Sequence, residues 1–235
     1  MRSVDQFIKG LKVAIPIMLG YFPIAITYGV LASQAGLSLL ELTGMSMMVY
    51  GGAAQIMATN MILLNVGVLE IVIATFVLNF RHFVMSFSFA HRLTKTNLKW
   101  RTLLTLFLTD ETFSVTTVEK EQANEENGHW FYFAIVLSAY ISWVVGSFIG
   151  GFVGDIIPSA ISQSFGIALY AMFIALLVPS VKANFRYGLI AVLAMILNYG
   201  FNQFIQEGWS IVLSTLVASG LGFLLFRRSE SWQSG

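Results

Sequence analysis

Eight apolar stretches follow one another with short connections, at 13–32, 43–64, 69–90, 102–118, 130–154, 159–179, 186–205 and 209–226. Each approaches or exceeds the roughly 17–25 residues that a helix needs to cross a bilayer's hydrocarbon core. The loops between them are too short to hold a soluble domain. Composition agrees: of 235 residues, 57% are hydrophobic and 11% charged, where a soluble chain carries about 25% charged. The 13 Lys and Arg are matched by 12 Asp and Glu, which leaves no basic field to draw in nucleic acid. There is no cysteine, so disulfides, thiolate metal sites and Cys nucleophiles are excluded. The sequence therefore predicts an all-α polytopic integral membrane protein in the lipid bilayer, with some stretches broken or re-entrant. It reads as a single membrane transport domain over 1–235. Residues 1–12 form a short cytoplasmic N-terminus, 13–226 the membrane domain and 227–235 a short tail. The polar opening residues are followed by a stretch of full spanning length, which reads as a first membrane helix rather than a cleaved signal peptide.

Charge at membrane depth is confined to Arg81, Asp110 and Glu111. Each costs roughly 2.5–3.5 kcal/mol at a helix centre, so such residues face a partner or a water-filled cavity. Orientation points to the same place. Arg2, Lys9 and Lys12, then Lys182 and Arg186, then Arg227 and Arg228 all belong in the cytoplasm by the excess of Lys and Arg in cytoplasmic loops. Eight plain crossings satisfy these but send loop 91–101, with Arg92, Lys95, Lys99 and Arg101, to the outside. The third and fourth stretches, polar at their midpoints, are the expected exceptions, re-entrant or broken where protein or a water-filled cavity satisfies the exposed backbone.

Gly51-Gly52-Ala53-Ala54-Gln55 interrupts the second stretch, and paired glycines weaken a helix by about 1 kcal/mol each. Either the helix breaks here and offers its amides and Gln55 to a polar substrate, or Gln55 bonds a neighbouring helix across a tight crossing. Asn79-Phe80-Arg81-His82 lies deep in the third stretch, with Asn79 and His82 on one face. Asp110 and Glu111 diverge by about 100° on a helix. One can pair with Arg81 while the other titrates; alternatively, Thr109 or Asp110 caps a new helix start. Asn198, Tyr199 and Asn202 form a polar stripe that suits interhelical hydrogen bonds. Gly146, Gly150 and Gly154 share a face suited to close helix packing, within the chain or against a subunit. Pro23 sits inside the first stretch, and Pro16 near a helix start. No internal repeat is visible, no metal-ligand spacing such as His-x-x-x-His occurs, and no nucleophile or phosphate-loop motif points to an enzyme or a bound cofactor.

An ordered run of motifs resembles the AzlC family, the large subunit of branched-chain amino acid exporters, from about residue 16 to 226. It comprises Gly20-Tyr21-Phe22-Pro23, Tyr28-Gly29-Val30-Leu31-Ala32, Ala35-Gly36-Leu37-Ser38 and Met45-Ser46. Then come Gly52-Ala53-Ala54-Gln55, Asn79-Phe80-Arg81-His82, Met85-Ser86, Leu108-Thr109-Asp110-Glu111, Trp143 with Gly146, and 171–179 ending in Pro179. The chain departs from the family pattern at Ile56, Phe80, Ser147, Gly166 and Tyr170, so no role for an acid at 166 carries over. The resemblance implies a bacterial inner-membrane exporter of leucine, isoleucine and valine that works with a small AzlD-type membrane subunit. A zwitterionic amino acid needs a cation, an acceptor and an apolar pocket. The expected substrate-binding residues are Gly51, Gly52, Gln55, Asn79 and Arg81, and the expected proton-coupling residues are His82, Asp110 and Glu111. A passive channel for small polar solutes, a transporter of a different amino acid and a non-transporting scaffold are the alternatives.

Overall fold

The computed structural model describes residues 2–94, 96–154, 184–205 and 207–230, with isolated positions between 174 and 182. The expectations at Gly166, Tyr170 and Pro179 lie outside the described residues, as does nearly all of the sixth stretch. The described elements are helical: α1 (Ser3–Gln34), α2 (Leu39–Met48), α3 (Gly52–Leu63), α4 (Val68–Arg92), α5 (Leu98–Leu106), α6 (Asp110–Val118), a 3-10 turn (Lys120–Asn124), α7 (Gly128–Val153), α8 (Phe185–Phe201) and α9 (Glu207–Glu230). Among them α1, α4 and α7 are long and apolar enough to cross a membrane, while α8 and the apolar part of α9 are shorter. Two compact units result, residues 1–60 with 78–163, and 61–77 with 164–235.

The first unit is framed by α1 and α7, which lie parallel. Gly10 faces the carbonyl of Phe131, Gly29 that of Ser147 and Gly150 that of Ile26, each so closely that a Cβ would overlap backbone. Gly146 and Gly154 abut Ala25 and Ser33 on the same helix. Between membrane helices such approach replaces the absent hydrophobic drive with van der Waals contact. The glycine face is thus spent inside the chain and is not a free docking strip for a subunit. Pro16 is internal to α1, because that helix begins at Ser3 and includes the polar opening residues.

Two hairpins of half-helices fill the frame. In the first, the Gln55 amide donates to the Ser46 hydroxyl at 2.9 Å. Nine residues of unbroken helix would separate the two by about 13 Å along the axis, so α3 turns back beside α2 across a break at 49–51. In the second, α4 serves as the ruler. Arg101 donates to the carbonyl of Ala90 at 2.7 Å and Ser86 to that of Thr105 at 2.8 Å, so α5 runs against α4. Arg81 meets Asp110, and Arg92 donates to Thr117 at 3.0 Å, so α6 runs with it. The fourth stretch therefore enters and leaves at one end, where Trp100 packs on His129 and Trp130, and where Tyr132 donates to the carbonyl of Glu119.

The third stretch is not broken, contrary to expectation: α4 is continuous through Asn79, Arg81 and His82. Those side chains face the breaks of neighbouring helices, where Arg81 meets Asp110, and α4 itself is not disrupted. The break in the fourth stretch arises from Thr109, whose side chain accepts from the Thr112 N–H, with the Thr112 side chain bonded back to the Thr109 N–H. This reciprocal cap starts a fresh helix, and Asp110 and Glu111 in its first turn suit the positive end of the helix dipole.

A repeat emerges that the sequence does not display. A long helix followed by a hairpin, α1 with α2–α3, recurs as α4 with α5–α6 in the opposite sense. At one end Gly154 meets Ser33 of α1, whereas Phe89 of α4 packs on Tyr132 at the start of α7. Matching contacts follow: Tyr21 meets Thr109, and Asn79 meets Gly51. One constant sequence offset relates both pairs. In the second unit Gly222 packs on Ile190, and the Ser210 hydroxyl lies 2.8 Å from both Asn198 oxygens. Asn202 caps α8 and Tyr199 is exposed.

Candidate functional site

The two breaks meet. A cavity of about 220 Å³ is lined by residues 47–50 of the first, residues 106–108 of the second, and His82 and Ser86 of α4. Its walls combine the C-terminal ends of α2 and α5, where the last carbonyls of each half-helix lack intrahelical partners. One is satisfied by Tyr140, whose hydroxyl donates to Met47 at 3.0 Å. Phe107 separates this cavity from a smaller one of about 150 Å³ with apolar walls, formed with Leu103, Phe133, Val136, Leu137 and Tyr140.

The three deep charges stand beside the breaks. Arg81 Nη2 lies 3.0 Å from Asp110 Oδ2, with the two side chains 38% and 26% exposed. His82 Nε2 is 3.9 Å from the same oxygen. The sequence left Arg81 a choice of two acids; in the structure it pairs with Asp110. Glu111 instead accepts from Tyr21 of α1, whose hydroxyl also lies 2.6 Å from that of Thr109. Since a phenol carries a single proton, Tyr21 links the carboxylate to the helix cap. Arg81 Nε and Asn79 Oδ1 are buried without hydrogen-bond partners, and Asn79 lies against Gly51, where a Cβ would come within 3.0 Å.

Gln55 and Gly52 belong to a different cluster. The indole N–H of Trp143 donates to Gln55 Oε1 at 2.8 Å, the Gln55 amide donates to Ser46, Ser46 to Ser147 at 2.8 Å, and Ser147 to the carbonyl of Trp143 at 2.8 Å. All four side chains are buried. Gly52 leaves room for the Trp143 ring. This closed network ties α2 and α3 to α7. Of the eight residues singled out from sequence, His82 lines the cavity directly; Arg81, Asp110, Glu111 and Asn79 surround the breaks; Gly51 lies in the first break. Sequence reasoning missed Tyr21, Tyr50, Phe107 and Trp143. Tyr21 and Trp143 stood within the quoted motifs, and Tyr50 directly precedes Gly51.

Membrane-length helices, re-entrant half-helices from opposite ends and a cavity of mixed polar and apolar lining where they meet define a helical membrane protein of the transporter class. The sequence model of the family described as AzlC protein matches residues 16–157, and the chain belongs to that family. It is 30% identical to "Inner membrane protein YgaZ" of Escherichia coli (strain K12), over 74% of this chain and 73% of that protein. It is 28% identical to "Branched-chain amino acid transport protein AzlC" of Bacillus subtilis (strain 168), over 86% and 80% respectively. An uncharacterized membrane protein of Helicobacter pylori (strain ATCC 700392 / 26695) is 29% identical over 96% of this chain and 98% of its own length. No solved structure matches the chain.

Proposed function

We propose that this chain exports leucine, isoleucine and valine across the bacterial inner (plasma) membrane, as the large subunit of an ion-gradient-driven permease completed by a small AzlD-type membrane subunit. The observation that carries the reading is the meeting of two helix breaks on one cavity beside the Arg81–Asp110 pair. Broken half-helices at mid-depth are where secondary transporters bind their cargo. At about 220 Å³ the cavity falls below the roughly 300–1,000 Å³ of clefts for drug-sized ligands, which suits a single amino acid. Arg81, with one N–H unpartnered, is suited to the substrate carboxylate. Met47, Met48, Leu106 and Phe107 offer apolar wall for a branched side chain. The name of the Bacillus subtilis relative supports the substrate class.

Coupling falls to the groups that the Arg81–Asp110 pair leaves over. Glu111, held by Tyr21, and His82, beside Asp110, are the proton carriers in this reading. Cells with and without the chain and its small partner, loaded with labelled leucine, isoleucine, valine and methionine, test the function. Saturable efflux and exchange of label across the membrane are expected. Linear, unsaturated flux without exchange would make the protein a channel. Glu111→Gln should abolish dependence on the pH gradient while exchange of label persists; unchanged gradient dependence would remove Glu111 from the coupling role.

A further inference from the structure

Tyr50 is the residue of the first break that the transport reading leaves without a task. Its φ is +42°, in the left-handed region. The other described non-glycine residues with positive φ are Asn65 and Asn127, and asparagine tolerates that conformation, whereas a bulky aromatic there is a genuine outlier. Strain of this kind persists only where the surroundings over-determine it. Here they do. The ring stands edge-on to Tyr140 with centroids 5.0 Å apart, and Phe107 of the opposite break lies 6.4 Å away. The side chain is held on the cavity wall and is only 7% exposed. Yet its hydroxyl is buried without a hydrogen-bond partner. Burying a polar group unpaired is costly, so a strained backbone here holds an unsatisfied oxygen within the wall of the cavity.

Backbone carbonyl ends contribute to the wall around that oxygen. Both α2 and α5 end at the cavity, so both present the negative ends of their dipoles to it, and half-helix C-termini of this kind coordinate cations in transporters. Asp110, 3.9 Å from His82, adds a carboxylate behind the imidazole. A phenolic oxygen accepts as well as donates. Resting on the reading of this cavity as the amino acid site, we propose that the Tyr50 hydroxyl is a ligand of the transported amino acid's ammonium group, with the carboxylate turned toward Arg81. The group recognised at Tyr50 is thus a primary ammonium.

Tyr50→Phe removes the oxygen and keeps the ring contacts. In the full-length chain, purified with its partner, the ligand-free melting temperature should stay the same or rise, because the hydroxyl has no partner to lose. Leucine should bind about ten- to a hundredfold more weakly, the effect of one hydrogen bond to a charged group. Competition by 3-methylbutylamine, which keeps the ammonium and lacks the carboxylate, should weaken in parallel. Whatever competition 4-methyl-2-oxopentanoate shows against wild type, having carboxylate and no ammonium, should survive the substitution. Unchanged leucine affinity, equal weakening of the oxo acid, or a fall in ligand-free stability with uniform loss of all ligands would each overturn the assignment while leaving the transport reading intact. A wild-type protein that neither binds nor exports leucine would overturn the transport reading, and the assignment with it.

Discussion

Gln55 and Arg81 are both polar side chains buried in a membrane domain, and their surroundings separate their roles. Gln55 is enclosed by Trp143 and Ser46 within a chain of hydrogen bonds that returns to α7. Gln55→Leu leaves the indole N–H without its acceptor, at about 1–3 kcal/mol for the orphaned group, while Ser46 keeps its bond to Ser147. A lowered melting temperature in detergent is expected, with leucine affinity per folded molecule preserved; lost affinity at an unaltered melting temperature would make Gln55 a ligand instead. Arg81 differs, since its guanidinium faces Asp110 on one side and keeps Nε without a partner. Arg81→Gln should abolish export at wild-type expression, and Arg81→Lys should restore it only weakly, because an ammonium cannot reproduce the fork geometry. Export by Arg81→Gln at the wild-type rate would mark the pair as structural. The deep charges were legible because charge inside an apolar stretch is rare. Tyr21 and Tyr50 were not, because an aromatic residue in an apolar stretch is unremarkable until its hydroxyl is located.

At the scale of elements, the doubled glycine at 51–52 and the Thr109 cap announced where helices stop. Asn79, Arg81 and His82 announced polarity without a break, and reading polarity as a break misplaced one in α4. What separates the cases is backbone chemistry: glycines and caps weaken or terminate a helix, whereas polar side chains only require partners. The inverted repeat stayed hidden because its halves share geometry and not residues; Tyr21 in one half corresponds to Asn79 in the other. The glycine ladder, by contrast, was legible as a close contact, and only its partner was open. With α1 as that partner, Gly150→Leu would drive a side chain into the backbone at Ile26. It should cost the protein its fold, seen as loss of a monodisperse peak in detergent. Gly20→Ala, which meets nothing within 4 Å, should leave that peak unchanged. A folded Gly150→Leu protein that merely loses its small subunit would return this face to the interface.

For the molecule as a whole, re-entry of the fourth stretch resolves the conflict in its charges. Phe133 at the start of α7 packs on both Phe7 of α1 and Trp100 of α5, so the N-terminal end and loop 91–101 share one end of the first unit. Arg2, Lys9, Lys12, Arg92, Lys99 and Arg101 then gather on one side, and from the cost of translocating Lys and Arg that side is expected to face the cytoplasm. The turn at 120–124 must lie there too, since α6 returns to the end where α5 began. Gln34, at the close of α1, belongs on the other side. The absence of native cysteine allows single-site labelling without background. In intact cells a membrane-impermeant maleimide should label Gln34→Cys, and should reach Thr96→Cys and Asn124→Cys only after permeabilisation. Plain crossings of every stretch would instead put Thr96 and Asn124 on opposite sides of the bilayer. Labelling of just one of that pair from outside would therefore sink the re-entrant hairpin and, with it, the meeting of the two breaks at the cavity.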